Sequence, residues 1–353
     1  QGAAMIDVTP LFKYDISGPD AGAFLARLLV RDVRKLKPGR MSYLCWCDAD
    51  GKVIDDGTCA RLSEETYRLT SAAPAMHWLH RHARAFDVAI RDCSDSIAAL
   101  ALQGPTSREL LRQVCDADMD ALRFFGLTET TFAGGGKGWL SRTGYTGDLG
   151  YELWVDNDNA LGLYDALLDT GKDYGAVPVG LDALDISRVE AGFILRGIDY
   201  IGANDAMIDA QKSSPFELGL GWTVKLNREE TFIGKDALTR EKNSGSRWAL
   251  VGLDIDWLAL EALYAHHDLP TQVPHCAWRS GIPIYHDGRQ VGRATSGSWS
   301  PMLKKNLALA TVEQNAAAPG TELLIEWTVE WSREMVPATV IKTPFFDPER
   351  KRA

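Results

Sequence analysis

The sequence predicts an α+β chain made of two related strand-and-helix units followed by an antiparallel β portion. Three observations carry this expectation. At 353 residues, 45% of them hydrophobic and 24% charged, the chain exceeds the roughly 250 residues that one core supports, so it holds two or three domains. Up to about residue 240, strand-like alternation and helical periodicity follow each other in two rounds of similar order, as in a weakly duplicated α+β unit. Beyond that point short alternating runs are broken by Gly, Pro and Asn, the pattern of an antiparallel barrel or sandwich.

In the first round, FKYDIS has the period of a half-buried strand. DAGAFLARLLV then sets Phe24, Leu25, Leu28 and Leu29 on one helical face behind a Ser-Gly-Pro-Asp entry. RMSYLCWCDADGKVIDDGTCARLSEETYRLTSA reads as three strands with turns at Asp50-Gly51 and Ser63-Glu64-Glu65, and APAMHWLHRHARAF as a helix. The second round reads as strand SIAALALQG, helix PTSRELLRQVC, hairpin KGWLSRTGYTGDLGYELWV and helix NALGLYDALLDTGKDYG. VGLDALDISRVEAG follows as a helix with Leu181, Leu184 and Val189 inward and Gly192 as its stop, Arg188 and Glu190 being an ordinary surface pair. EKNSGS, Glu241 to Ser246, reads as a linker. The expected domains are therefore 1–240, two interleaved α+β units, and 247–353, the β portion.

Composition removes several functions. A formal net charge of -10 without a Lys/Arg-rich tract excludes nucleic acid as the main partner, because phosphate neutralisation needs a basic face. No apolar run reaches the roughly 18 residues of a membrane span, and the first residues lack a basic region followed by an apolar one, so the expected location is cytoplasmic. The six Cys fall at irregular positions with no CxxC pair, which argues against disulfide staples and a zinc ribbon. His77, His80 and His82 lie in one helix without a completing acid or Cys, so no metal is expected. AGGGKG lacks the order of a phosphate loop and reads as a turn, and no GxGxxG follows a first strand.

Two motifs carry chemistry. GKVIDDGT places adjacent carboxylates at a strand start, and alternation allows only one of Asp55 and Asp56 to face a given side of the sheet. Spacing leaves two readings open, a turn-flanking pair or a carboxylate beside a basic nitrogen or developing cation. In GYTGDLGYELWV, Thr-Gly and Asp-Leu-Gly are turn chemistry, while Tyr151, Leu153 and Val155 alternate with Glu152 and Trp154. A carboxylate sharing a face with an indole suits a flat heterocycle that presents paired N–H groups; it is equally compatible with a structural role.

Taken in order, DISGPDAGAFLARLLVRDVRKLKPGRMSY, DADGKVIDDGT, ALQGPTSRELL, SRTGYTGDLGYELWV, PVGLDALDISRVEAG, GKDAL and SGSWSPMLKKNLALATVE resemble the glycine cleavage T-proteins, the aminomethyltransferases, and their folate-dependent demethylase relatives. The resemblance covers nearly the whole chain, which begins inside the family pattern. It implies a three-domain cloverleaf, two related folate-binding domains plus a C-terminal antiparallel β-barrel, with tetrahydrofolate as cofactor. It also implies roles for residues: Asp56 as the catalytic carboxylate near the reactive pterin nitrogen, Tyr43 as an aromatic lining the pterin pocket, and Glu152 as the pterin's hydrogen-bonding partner, with Ser71 and Tyr151 as further cofactor-binding positions. Ser71 stands where T-proteins carry Asn, Leu184 where they carry Arg and Arg350 where they carry a late Tyr, and Trp257 to Ser280 is an inserted piece.

These departures turn the expectation toward a transferase that demethylates a small methylated donor (sulfonium, methylamine or betaine, or methoxyaryl), with Trp46, Trp154 and Trp222 as candidate donor contacts. One alternative is a true aminomethyltransferase that works on a lipoyl-carried group and needs the lipoyl carrier protein as partner. Another is a non-catalytic folate-binding protein of iron-sulfur assembly, against which stands the absence of Cys from RVEAGFILRGIDY.

Overall fold

The computed structural model describes residues 2–353. In chain order its elements are β1 (Ala3–Asp7), β2 (Phe12–Ser17), α1 (Ala21–Leu28), β3 (Arg40–Cys47), β4 (Val53–Arg61), β5 (Thr66–Ser71), α2 (Met76–Ala83) and β6 (Ala89–Asp92). There follow β7 (Ile97–Gln103), α3 (Ser107–Val114), β8 (Leu127–Phe132), β9 (Gly136–Ser141), β10 (Gly150–Asp156), α4 (Ala160–Gly171), β11 (Ala176–Pro178), α5 (Leu181–Glu190) and α6 (Lys235–Ser244). The last are β12 (Trp248–Ile255), α7 (Trp257–His266), β13 (Ile282–His286), β14 (Arg289–Ser300), β15 (Lys305–Glu313), β16 (Glu322–Val329) and β17 (Ser332–Ile341). The α+β expectation holds, with two sheets and a closed six-stranded antiparallel barrel. The chain forms two compact units, one of residues 1–180, 222–238 and 348–353, the other of 181–221 and 239–347.

The first unit contains both sheets, ordered β11-β1-β7-β10-β9-β8 and β3-β4-β5-β2-β6. β7 is buried along nearly its whole length, which explains why IAALALQ shows no polar alternation: a strand covered on both faces reads as a continuous apolar run. On one face Leu100, Leu102, Leu140, Tyr151 and Leu153 pack with Leu110, Leu111 and Val114 of α3 and Leu163 and Leu167 of α4. On the other, Ala99, Leu127 and Trp154 meet Met41 of β3 and Ala60 of β4. The two sheets thus face each other through this second cluster. Trp46 and Tyr14 lie on the remote face of the second sheet, which alternates away from Met41 and Ala60.

The second unit holds the barrel, ordered β12-β15-β14-β13-β16-β17 and closed by β17 on β12. The inserted piece enters between β12 and β13, beginning as α7, whose Leu260 is packed into the barrel core. Two local expectations are corrected. Glu241 to Ser244 of the expected linker continue α6, because nothing in EKNS breaks a helix before Gly245, which takes a φ of +84°. On α5, Leu181 is 68% exposed while Arg188 and Glu190 are buried. Arg188 donates to Asp185 and Asp199 at 2.7 and 2.6 Å and to Ser296 of β14 at 2.8 Å, and Glu190 accepts from Ser300 at 2.5 Å. The inward face of α5 therefore carries charge beside the buried Val189: Arg188 is matched by the nearby Asp185 and Asp199, while the barrel strand supplies the hydroxyls of Ser296 and Ser300.

Candidate functional site in the paired sheets

Strand register decides which side chains share the space between the sheets. Cys45 pairs with Asp56, Tyr43 with Thr58 and Met41 with Ala60, so Asp56, Tyr43 and Thr58 lie on the face that meets the first sheet. Thr70 pairs with both Thr58 and Lys13, and Arg68 with both Ala60 and Asp15, which puts these polar groups on the same face. In the first sheet Glu152 pairs with Ala101 and Ser141, and Trp154 with Ala99 and Trp139. Glu152 therefore looks toward the second sheet from a position next to the Trp154 that packs there.

The two adjacent aspartates separate by alternation. Asp56 accepts a 2.7 Å hydrogen bond from the Tyr43 hydroxyl. Asp55, 2% exposed, turns to the remote face and accepts from the backbone N–H of Ala73 at 3.0 Å, tying down the chain after β5. Burial, and then the Asp56 charge, push the Tyr43 hydroxyl well above its ordinary range, so it stays protonated and keeps donating. The Tyr43 ring stacks with the 56% exposed Trp222, centroids 6.1 Å apart and 24° between planes, within the offset-stacked range. Tyr145 of the Gly-Tyr-Thr-Gly loop, a segment whose sequence shows turn chemistry only, acts electrostatically on Tyr43.

Glu152 has a different environment. Its carboxylate receives one hydrogen bond, from the Trp154 indole N–H at 3.3 Å, leaving acceptor capacity open. Burial raises its pKa to about 7, opposed by the Trp154 hydrogen bond and the Lys13 charge. The side chain is nevertheless half-buried, so solvent still reaches it. Arg68 sits over the Trp154 ring, 5.4 Å from its centroid, and is held by Asp15 through bonds of 2.7 and 3.0 Å.

The loop that presents this strand is built around Gln103. Its amide donates to the carbonyls of Thr143 and Tyr151 at 3.3 and 3.1 Å, and its oxygen accepts from Thr146 at 3.0 Å. A Cβ on Gly144 or Gly150 would fall 1.9 or 2.1 Å from that oxygen, so both glycines are needed for the clamp to close. Arg350 adds a bidentate pair to Asp148, at 2.6 and 2.7 Å.

The remaining expected site residues lie elsewhere. Ser71, 2% exposed, faces away from Asp56 and donates to the carbonyl of Ala73 at 2.8 Å. Trp46, also 2% exposed, shares that remote face. Tyr151 is 0% exposed in the helix-covered core, where its hydroxyl accepts from Arg108 at 3.1 Å. The structure thus groups Tyr43 and Asp56 on one of the facing sheet surfaces, with Trp222 from outside the sheets stacked on Tyr43, and separately Glu152 and Trp154 on the other; it does not bring Ser71, Trp46 or Tyr151 to them.

A family model of the GCVT N-terminal domain matches residues 1–228, and one of the glycine cleavage T-protein C-terminal barrel domain matches 269–347. The chain belongs to the glycine cleavage T-protein family. It is 34% identical over 348 residues to an aminomethyltransferase of Bacillus subtilis, covering 98% of this chain and 88% of that protein. An aminomethyltransferase of Clostridium botulinum is 37% identical over 328 residues, 92% of this chain and 82% of that one. The crystal structure of glycine cleavage system aminomethyltransferase T from Bartonella henselae superposes with a TM-score of 0.82 at 24% identity, covering 98% and 87% of the two chains, a likeness of fold. These relatives carry the name aminomethyltransferase, the alternative to transfer from a small methylated donor.

Proposed function

We propose that this chain is an aminomethyltransferase that passes the one-carbon unit of a lipoyl-carried aminomethyl group to tetrahydrofolate as a methylene bridge, the amine leaving as ammonia and the sulfur as the carrier's free dithiol, with the lipoyl carrier protein as its partner. It is an enzyme of a tetrahydrofolate-dependent family. The observation that supports the site best is the contrast between its two carboxylates: Asp56 is held by Tyr43 at 2.7 Å, whereas Glu152 is under-bonded and half-buried. The aminopyrimidine edge of a pterin presents paired N–H donors, which a carboxylate with open acceptor positions takes up as a bidentate pair. Glu152 is that acceptor. Asp56, oriented by the Tyr43 hydroxyl, stabilises positive charge that develops as the one-carbon unit is transferred. Tetrahydrofolate supplies the nitrogen nucleophile; position and electrostatics are the protein's share.

A second reading, transfer from a small methylated donor, is favoured by one feature. The exposed Trp222 ring beside Tyr43 offers an aromatic face to a cationic or methoxyaryl group. One experiment separates the two. The chain is incubated with tetrahydrofolate and either an aminomethyl-loaded lipoyl carrier protein or a panel of methylated donors, and the product is read by mass. Methylene-tetrahydrofolate formed only with the carrier is expected. Methyl-tetrahydrofolate formed from a free donor would establish the second reading, and absence of calorimetric tetrahydrofolate binding would remove both.

A further inference from the structure

A lysine buried on β2 faces the same space as Glu152, and no motif of the chain gives it a task. Lys13 is 1% exposed, and its Nζ donates to the main-chain carbonyls of Thr9 and Leu11, each at 2.8 Å. These carbonyls fix the ammonium in place and offset part of its dehydration, but they carry no charge to balance it. Through the register of β2, β5 and β4, Lys13 stands on the face that carries Thr70, Thr58 and Asp56.

The charged groups around it have other commitments. Arg68 on β5 is taken up by Asp15, which also accepts from Arg91 on β6 at 3.2 Å. Asp56 on β4 holds the Tyr43 hydroxyl of β3. Asp7, at the end of β1, accepts from the N–H of Thr9 at 2.9 Å, and the Cys93 thiol donates to the Lys13 carbonyl at 3.3 Å. Glu152 on β10 has the indole N–H as its hydrogen-bond partner, and Lys13 is the cation that acts on it.

We propose that Lys13 is a positioning residue that holds Glu152 ionised, so that the carboxylate stands ready to accept two N–H donors from the flat heterocycle. This rests on the reading of Glu152 as the pterin acceptor. The chemistry is specific: a protonated carboxyl offers one O–H donor and one acceptor and cannot accept a paired N–H edge. Burial already brings Glu152 to about 7 with Lys13 in place. Removing an opposing positive charge moves a carboxyl further up. Burial lowers the pKa of Lys13 itself, while Cys93, Glu152 and Asp7 act to retain its proton against Arg68. The lysine and the glutamate therefore support each other's charge.

The test follows tetrahydrofolate affinity by calorimetry between about pH 5.5 and 8.5, and the Glu152 carboxyl carbon by NMR in labelled, ligand-free protein, assigned with Glu152→Gln. In the unsubstituted chain, affinity falls about tenfold per pH unit below the Glu152 midpoint. Lys13→Met should keep the high-pH affinity and move both midpoints upward, with a loss of about three- to tenfold at pH 7. Lys13→Arg should keep the original midpoint. If Lys13→Met does not fold, Lys13→Gln, which retains an N–H for the two carbonyls, carries the comparison. An unchanged carboxyl midpoint in the neutral variant, or a uniform affinity loss at every pH, overturns the proposal. Absence of tetrahydrofolate binding by the unsubstituted chain overturns the folate reading instead, and the NMR midpoint still decides the role of Lys13.

Discussion

Asp55 and Asp56 are neighbours in sequence with unrelated tasks, because a strand sends consecutive side chains to opposite faces. Asp55 ties down the chain after β5, while Asp56 meets the Tyr43 hydroxyl. A hydrogen bond to a charged acceptor contributes about 1.5–3 kcal/mol, enough to fix one carboxylate rotamer. Tyr43→Phe should therefore reduce kcat by about tenfold while leaving tetrahydrofolate affinity within a few-fold, since orientation is lost but the aromatic ring remains. Asp56→Asn should cost about a hundredfold or more in kcat through lost charge stabilisation. Steady-state rates paired with calorimetry check both, and an Asp56→Asn variant of normal kcat would return that residue to a structural role.

At the scale of elements, β4 and β10 deliver the two carboxylates, and both depend on glycine for close approach. A Cβ at Gly57, one residue after Asp56, would lie 1.9 Å from the Thr70 carbonyl of β5. Gly57→Ala must push β4 and β5 apart at the point where Thr58 and Thr70 share a 2.5 Å hydroxyl contact. The expected destabilisation is about 1–3 kcal/mol in urea unfolding; an unchanged midpoint would show that the strands yield without cost. The period of two in FKYDIS and TYRLTS was legible because each strand has its own pleat. The covering of IAALALQ on both faces came from β-sheet and helix partners more than a strand away, so no local pattern announced which of its faces met the second sheet.

For the whole molecule, the charges that the chain buries matter as much as its apolar cores. Arg188 is 1% exposed and its partner Asp199 is buried as well; Asp199 also accepts from Thr295 and Ser296 at 2.6 Å each, and Asp185 takes a second arginine, Arg279, at 2.7 Å. Removing Arg188 leaves Asp185 with Arg279 but takes from the dehydrated Asp199 the cation paired with it. Arg188→Met should destabilise the second unit by about 3–5 kcal/mol, read from chemical denaturation followed through a barrel tryptophan. A loss below about 1 kcal/mol would mean that the pairs are worth no more than surface ones. The expectation of an apolar inner face on α5 holds for Val189, which is 0% exposed, but fails for Leu181 and for the charged residues buried beside it. Leu181 and Leu184 supplied a helical period, but partners that let Asp185, Arg188 and Glu190 be buried, Arg279, Ser296 and Ser300, lie 94 to 110 residues away in sequence.

By itself the sequence determined the α+β class, the texture change to a β-barrel and the ordered blocks that mark the T-protein family, since these depend on local periodicity, turn chemistry and residue order. It also confined the choice between Asp55 and Asp56 to one of two, through strand alternation. Tertiary structure alone decided which of the two meets Tyr43, that Ser71, Trp46 and Tyr151 face elsewhere, and that Lys13 lies on the face turned toward the sheet of Glu152. Those outcomes follow from register and sheet pairing between strands far apart in the chain, where a shift of one residue would reverse every face.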